Sequence, residues 1–234
     1  MIVGGIQWTT LLDYPGYVAA TVFTAGCGFR CPFCHNPELV LPERIRASSY
    51  TLDDAFFEEL ERRRGFLDAV VISGGEPTIQ PDLEDVAARI RHLGMRVKLD
   101  TNGSRPDVIE RLLDRGAVDY VAMDVKAPWD RYGQLTGVDV DTEAIRRAVD
   151  LLKDAAPHYE FRTTAAPGLD VEDLLCIGVQ LGTAAEYWLQ RFQRIDGKGL
   201  VDDTCATLSS LEREELEDVW DQLRERFPRG GVRG

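Results

Sequence analysis

The sequence has no uninterrupted apolar stretch that approaches the length of a membrane-spanning helix. Its first sixteen residues mix Gly, Trp, Thr, Asp and Pro, a composition typical of neither a secretory signal nor a transit peptide. Internal repeats, low-complexity tracts and linkers rich in Pro or Gly are also missing. These absences predict that residues 1–234 form a single domain of a cytoplasmic protein that has no membrane partner.

Basic residues are in the minority, because 27 Lys and Arg stand against 40 Asp and Glu, which gives a formal net charge of −13. A nucleic-acid backbone requires a basic surface, so this balance argues against a nucleic-acid partner. The hydrophobic fraction of 44% is ordinary for a globular protein. A chain of 234 residues is long enough for one full core, and an α/β barrel suits that size.

Cysteine is scarce, yet three of the five cysteines, Cys27, Cys31 and Cys34, lie in one short segment. Three neighbouring thiols cannot all pair as disulfides, and no signal points to an oxidising compartment. A structural zinc site with His35 is an alternative, although adjacent Cys34 and His35 have little backbone slack for binding one ion. A single nucleophile would explain only one of the three. We favour a 4Fe-4S cluster with three protein ligands and one open iron.

Strand-like and helix-like segments alternate along the chain. Six apolar, β-branched segments have the pattern of strands: Tyr17–Thr24, Leu67–Ser73, Met95–Asp100, Val118–Val125, Tyr159–Thr164 and Glu186–Phe192. Strict alternation predicts a parallel sheet with right-handed crossovers, and six units are too few to close an eight-stranded barrel. We therefore predict an α/β fold, a partial (β/α)6 TIM-like barrel whose cysteine loop follows the first strand.

The alternation ends before the chain does. The core of the barrel is expected at about residues 13–193. A last helix is expected at about residues 209–227, because Ser209 and Glu212 have the spacing of a capping box. Residues 228–234 are expected to form a loose tail.

Polar residues and glycines gather where the predicted strands end. These ends carry Ser73-Gly-Gly-Glu-Pro77, Asp100-Thr-Asn-Gly103, Met123-Asp-Val-Lys126 and Arg162-Thr-Thr164. Each has a simple structural explanation, since two glycines can form a tight turn and an Asp can cap the next helix. Reactive residues of TIM-like barrels, however, lie at the carboxyl ends of the strands. Their common position therefore predicts an active site beside the cysteine loop.

The cysteine spacing CxxxCxxC, with the aromatic residue Phe33 before the last cysteine, resembles the signature of the radical S-adenosylmethionine superfamily. The resemblance extends to the turn Asp13-Tyr-Pro-Gly16 and to the GGEP and DTNG segments. Within the superfamily the chain is similar to glycyl-radical-enzyme activating proteins, and among those to the activators of anaerobic ribonucleoside-triphosphate reductases. The resemblance implies a 4Fe-4S cluster on Cys27, Cys31 and Cys34, with S-adenosylmethionine on its open iron.

The resemblance also implies a set of contacts to S-adenosylmethionine: Phe33, His35, Gly74, Gly75, Glu76, Asp100, Asn102, Asp124, Lys126 and Arg162. The methionyl amino group is expected at Gly74, Gly75 and Glu76, the adenine at the residues beside the last cysteine, and the ribose near the DTNG segment. Lys126 and Arg162 are expected near the methionyl carboxylate. Two points stay open: whether Gln193 contacts the cofactor, and whether Asp100 and Asp124 hold a cation.

The reaction implied is reductive cleavage of S-adenosylmethionine, followed by formation of a glycyl radical on a partner enzyme. The resemblance also implies a flavodoxin- or ferredoxin-type reductant. Asp13 is either a contact for the incoming peptide or a turn-forming residue. Two further functions stay open: a radical enzyme that acts on a small molecule, such as the 7-carboxy-7-deazaguanine synthases, and a non-catalytic iron–sulfur electron-transfer protein.

Overall fold

One mixed sheet runs through the molecule in this computed structural model, which describes residues 1–195 and 197–234. Its strands are β1 (Ile2–Thr10), β2 (Ala19–Thr24), β3 (Tyr50–Thr51), β4 (Ala69–Gly74), β5 (Arg96–Thr101), β6 (Tyr120–Asp124), β7 (Tyr159–Ala165), β8 (Glu186–Arg191) and β9 (Arg229–Arg233). They lie in the order β3-β1-β2-β4-β5-β6-β7-β8-β9.

Helices cover the sheet between these strands. In the described part of the chain they are α1 (Pro37–Val40), α2 (Pro42–Ser48), α3 (Asp54–Arg62), α4 (Leu83–His92), α5 (Pro106–Asp114), α6 (Tyr132–Thr136), α7 (Thr142–Ala155), α8 (Val171–Leu181) and α9 (Arg213–Leu223). None of these described helices has both the length and the apolar character that crossing a membrane takes.

The six predicted strands are all present as β2, β4, β5, β6, β7 and β8, and each is parallel to its neighbour. This confirms the mostly parallel α/β fold. The cysteine loop follows the first parallel strand, which is the second strand of the chain, because residues 2–10 form β1. This segment forms a strand despite its mixed composition because it pairs antiparallel with β2, with Val3 opposite Thr24 and Thr10 opposite Ala19.

The prediction for the C-terminal segment was wrong. Residues 229–233 form β9, a strand parallel to β8, instead of a loose tail. Gly230 allows this pairing, since a Cβ atom there would lie 2.0 Å from the Tyr187 carbonyl oxygen. The last helix also begins later than expected, at Arg213, because the Glu212 amide donates a hydrogen bond to the Glu215 carboxylate at 2.8 Å.

The two faces of the sheet have different chemistry. On β5, Val97 and Leu99 are fully buried in the hydrophobic core. Lys98 and Asp100 alternate with them and therefore point to the opposite, inner face, where both line a cavity. The outer face of the sheet is apolar and packs in the hydrophobic core, whereas the inner face holds charged residues.

Candidate active site

The loop that carries the three cysteines curls back on itself after β2. The Phe29 amide donates to the Cys27 sulfur at 3.3 Å, and the Cys34 amide donates to the Cys31 carbonyl at 3.0 Å. The Arg30 side chain donates to the Cys27 carbonyl at 2.6 Å. Cys31 is buried, and Cys27 and Cys34 are partly buried. Local hydrogen bonds therefore hold all three thiols on one short, ordered loop.

The glycine pair after β4 allows the backbone to approach this loop closely. A Cβ atom at Gly75 would lie 2.0 Å from the carbonyl oxygen of Gly26, and one at Gly74 would lie 2.3 Å from the Thr24 amide nitrogen. Gly74 also has a φ of +114°, which side chains disfavour. Both glycines are needed for the contact between two neighbouring strand ends, which is a stronger requirement than a tight turn.

Glu76 follows the glycine pair but does not line the cavity, although the family resemblance implied a contact between its side chain and the amino group of the cofactor. Its side chain is fully buried. One carboxylate oxygen accepts hydrogen bonds from the Thr78 hydroxyl at 2.6 Å and the Thr101 hydroxyl at 2.7 Å, and the other accepts from the Asn102 amide at 2.6 Å. Burial raises the pKa of Glu76. The hydrogen bonds from Thr101 and Asn102 connect the Glu76 carboxylate to the DTNG turn and stabilise that turn.

A cavity of about 240 Å³ lies at the carboxyl ends of the parallel strands. It brings together every predicted site residue except Glu76: Cys27, Cys31, Phe33, Cys34, His35, Gly74, Gly75, Asp100, Asn102, Asp124, Lys126 and Arg162. These residues come from five separate segments of the chain. The strand ends therefore meet around the cysteine loop, as predicted.

Charged side chains form a connected network along one wall of this cavity. Arg162 Nε donates to Asp124 at 2.8 Å, and Arg162 Nη1 lies 3.5 Å from Asp100. Lys126 Nζ donates to the other Asp124 oxygen at 2.9 Å, and Lys98 Nζ donates to Asp100 at 2.8 Å. Three cations and two carboxylates form this network, and Arg162 also faces a third carboxylate, Glu160, at 3.8 Å. Lys126 and Arg162 line the cavity, where their N–H groups can bind an anionic group.

Neighbouring charges keep this network ionised. Burial opposes ionisation of Asp124, but Arg162 and Lys126 outweigh it and hold the pKa of that carboxyl well below its usual range. Burial likewise opposes the charge on Lys126, but Asp124 raises the pKa of this amine above its ordinary value. Both residues therefore stay charged at neutral pH.

Two residues at this site were not predicted from the sequence: Phe192, which lines the cavity, and Lys98, which does not line it but binds Asp100. Phe192, just after β8, stacks on the His35 ring with centroids 5.1 Å apart and lines the cavity, whereas the neighbouring Gln193 does not. His35 Nε2 is buried and has no hydrogen-bond partner among the described residues. Lys98 was also missed, although its spacing of two from Asp100 on a strand places both side chains on one face.

Residues 21–175, well over half of the chain, match the family model described as the Radical SAM superfamily. The chain belongs to the radical SAM superfamily. Members of this superfamily bind a 4Fe-4S cluster and S-adenosylmethionine, and these are the cofactors of this enzyme.

Two relatives indicate which group of enzymes within the superfamily this chain resembles. A Methanocaldococcus jannaschii protein assigned as a glycyl-radical enzyme activating enzyme is 36% identical over 224 residues, which cover 93% of this chain and 90% of that protein. The pyruvate formate-lyase-activating enzyme of Streptococcus mutans is 31% identical over 194 residues, 78% of this chain and 72% of that enzyme. The radical SAM chain is thus similar over most of its length to glycyl-radical enzyme activating enzymes.

Solved structures agree with the fold. Streptococcus suis SuiB bound to S-adenosylmethionine superposes with a TM-score of 0.67 at 13% identity, covering 92% of this chain. The radical SAM chain spans about half the length of SuiB, because the match covers 52% of that structure. At this identity the likeness shows the shared fold alone.

The cavity fits both cofactors of a radical SAM enzyme. Burial raises the pKa of Cys27 to about 12 and that of Cys31 to about 11, so these thiolates need the positive charge of bound iron. No three His, Cys, Asp or Glu side chains in the described ranges converge closely enough for one metal ion. A 4Fe-4S cluster does not require such convergence, because each cysteine thiolate binds a different iron atom. The unpartnered His35 Nε2 and the cationic wall suit a nucleoside and a carboxylate.

Proposed function

We propose that this protein installs a glycyl radical on a partner enzyme, with Cys27, Cys31 and Cys34 as the three cluster ligands. The observation that carries the proposal is the single cavity that these cysteines share with the strand-end residues. When bound, the reduced cluster would supply one electron for cleavage of S-adenosylmethionine to methionine and a 5′-deoxyadenosyl radical, and that radical would take a hydrogen atom from the target glycine to give 5′-deoxyadenosine.

The walls of the cavity give each part of S-adenosylmethionine a partner. Lys126 and Arg162 supply the positive charge that a methionyl carboxylate requires, and Asp124 holds both side chains in place. The stacked pair of His35 and Phe192 offers an aromatic wall and a free ring nitrogen to the adenine. Phe33, which precedes the last cysteine, also lines the cavity.

The amino group and the ribose have their own places. The backbone at Gly74 and Gly75, which no side chain shields, suits the amino group of the cofactor. Asn102 and Asp100 line the cavity and suit the ribose hydroxyls. Glu76 contributes by holding the Asn102 amide, and not by direct contact.

A second cavity supports a peptide as the other substrate. Its volume is about 410 Å³, it lies on the inner face of the sheet, and it shares Asp100 and Arg162 with the first cavity. Asp13 lines it and accepts a hydrogen bond from the Thr21 hydroxyl at 2.7 Å. The adjacent turn is closed by the Tyr17 amide and the Tyr14 carbonyl, so the Asp13 carboxylate is not needed to form that turn.

The rim of this second cavity suits a protein surface. Leu11 and Leu12 precede Asp13 and are 71% and 90% exposed. Two neighbouring exposed leucines at a cavity mouth are typical of a contact surface for another protein. We propose that the loop bearing the target glycine enters here, past Leu12 and Asp13, and reaches the shared residues.

The partner we propose is an anaerobic ribonucleoside-triphosphate reductase. Support comes from the segments Thr10-Leu-Leu-Asp-Tyr-Pro-Gly16 and Cys31-Pro-Phe-Cys34-His-Asn-Pro-Glu38, which resemble the activators of that enzyme. A flavodoxin- or ferredoxin-type reductant and a cytoplasmic location stay predictions of the same proposal.

The test is an anaerobic activation assay with purified proteins. The reconstituted protein, a chemical reductant and S-adenosylmethionine are incubated with an anaerobic ribonucleotide reductase, and electron paramagnetic resonance is recorded. We expect a glycyl radical doublet on the partner, together with release of 5′-deoxyadenosine. Cys31→Ala is the control that should give neither, since it removes one cluster ligand.

Three outcomes would each contradict a different part of the proposal. Release of 5′-deoxyadenosine without a radical on any glycyl enzyme offered would point to a small-molecule substrate. No release at all from protein with a full cluster would indicate an electron-transfer role. A radical on pyruvate formate-lyase, and none on the reductase, would refute only the choice of partner.

A further inference from the structure

Strand β9 brings an arginine to the inner face of the sheet, close to the catalytic cavity. The strand pairs with β8 so that Arg233 lies opposite Gln190 at the carboxyl end. Both residues line the second cavity together with Arg162. The sheet pairing therefore gives the side chain of Arg233 a defined place next to the charged network.

Arg233 lies between an aromatic ring and a buried carboxylate. Its guanidinium carbon is 3.6 Å from the centroid of the Trp188 ring, and its Nη1 is 3.2 Å from Glu160 Oε2. The Glu160 side chain is 2% exposed, and Oε2 accepts no hydrogen bond from the described residues. A buried carboxylate in this state depends on a nearby positive charge, and Arg233 is the closest.

The other cation near Glu160 is Arg162. Its Nη1 lies 3.8 Å from Glu160 Oε1, while its Nε donates to Asp124 at 2.8 Å and Nη1 also faces Asp100 at 3.5 Å. One guanidinium thus faces three carboxylates. Without Arg233, Arg162 would be the only described cation within 4.0 Å of Glu160, and the buried charge would draw it away from Asp124.

The neighbouring carboxylate, Glu186, is neutralised differently. It accepts a hydrogen bond from Trp188 Nε1 at 2.7 Å, and Arg229 Nε lies 3.2 Å from its second oxygen. Arg233 is farther away, at 3.8 Å. Arg229 is on the same strand as Arg233 and pairs with a different carboxylate, so it serves as a matched control.

We propose that Arg233 is a positioning residue for the S-adenosylmethionine site, because it neutralises Glu160 and so leaves Arg162 paired with Asp124 and Asp100. This inference rests on the proposed place of Arg162 at the cofactor carboxylate. It assigns a role in cofactor binding to a strand outside the six-stranded barrel.

The test compares S-adenosylmethionine affinity in reconstituted variants. The dissociation constant is measured by equilibrium binding, and cofactor binding to the reduced cluster is followed by electron paramagnetic resonance. Because the charges of Arg233, Glu160 and Arg162 are coupled, we expect Arg233→Ala to weaken binding about tenfold. Adding Glu160→Gln should restore affinity to within about twofold, since a neutral amide does not compete for Arg162.

Two more variants separate positioning from simple support of the fold. Arg229→Ala removes a more exposed partner of Glu186 and should leave the affinity within about twofold of wild type. Arg233→Lys keeps the charge and should keep most of the affinity. If Arg233→Ala does not fold, Arg233→Gln with and without Glu160→Gln gives the same comparison.

Equal loss of affinity in the Arg229 and Arg233 variants, or no restoration by Glu160→Gln, would overturn the inference. Arg162→Ala separates this result from the proposed function. If Arg162→Ala leaves cofactor binding unchanged, the proposed contact of Arg162 with the cofactor is wrong, and the inference falls with it. If Arg162→Ala weakens binding and the Arg233 variants do not, only the inference is wrong.

Discussion

Replacing Gly75 by Ala tests whether close backbone contact holds the cysteine loop in place. The new Cβ atom would lie 2.0 Å from the Gly26 carbonyl oxygen and 3.1 Å from the Leu39 carbonyl oxygen. Both are backbone atoms, which cannot swing aside as the end of a side chain can. Relief therefore requires the strand end and the cysteine loop to separate by about an ångström, since Cβ contacts below about 3 Å are not tolerated.

The separation has a definite energetic cost. The Glu76 amide donates to the Gly26 carbonyl at 2.8 Å, and the Gly75 amide donates to the Thr24 carbonyl at 2.8 Å. Losing these two bonds costs about 1 kcal/mol each, and overpacking adds about 1–3 kcal/mol. We therefore expect the free energy of unfolding to fall by about 3–5 kcal/mol, a large part of the 5–15 kcal/mol typical of a domain.

The assay is denaturant unfolding of the apoprotein, followed by iron content after reconstitution. Gly28→Ala is the matched control, because Gly28 lies in the same loop and a Cβ atom there would have nothing within 4 Å. We expect this control to change the free energy of unfolding by less than about 0.5 kcal/mol and to keep its iron. A Gly75→Ala protein as stable and as rich in iron as Gly28→Ala would refute the reasoning.

Two more predictions concern the charged wall. Lys126→Met should weaken S-adenosylmethionine binding about tenfold or more and leave the iron content unchanged. The control Lys153→Met, at a distant site, should change neither. Equal loss of iron and of cofactor binding would count against a contact between Lys126 and the cofactor. Because Arg162 and Lys126 outweigh burial and depress the pKa of Asp124, its contribution to stability is fully present above the unfolded pKa of about 3.9. It decreases progressively as the pH falls from there towards the lower pKa of the folded state. Unfolding of apoprotein between pH 6 and 3 should therefore show a smaller loss of stability in Asp124→Asn than in wild type, and parallel curves would contradict this.

Much of the site could be predicted because its signals are local. The spacing of Cys27, Cys31 and Cys34 on one loop predicts the cluster, and the polar ends of β4, β5, β6 and β7 follow directly from buried, β-branched segments. Parallel strands bring such ends to one edge. The strand ends do meet in one cavity, which includes every predicted site residue except Glu76.

Side-chain direction and strand pairing could not be predicted in the same way. Glu76 has the residue type and position of a cofactor contact, but the hydroxyls of Thr78 and Thr101 draw its carboxylate away from the cavity. The segments that became β1 and β9 lack a strand pattern of their own. Their structure comes from hydrogen bonds to β2 and β8, which no local pattern contains.

The sequence by itself determined the cysteine loop and the alternating α/β fold, because residue spacing and hydrophobic period act over short distances along the chain. The tertiary structure alone decided which charges meet on the inner face, including the contact between Arg233 and Glu160. These residues are 73 positions apart in the sequence. Only the register of three neighbouring strands brings their side chains within 3.2 Å.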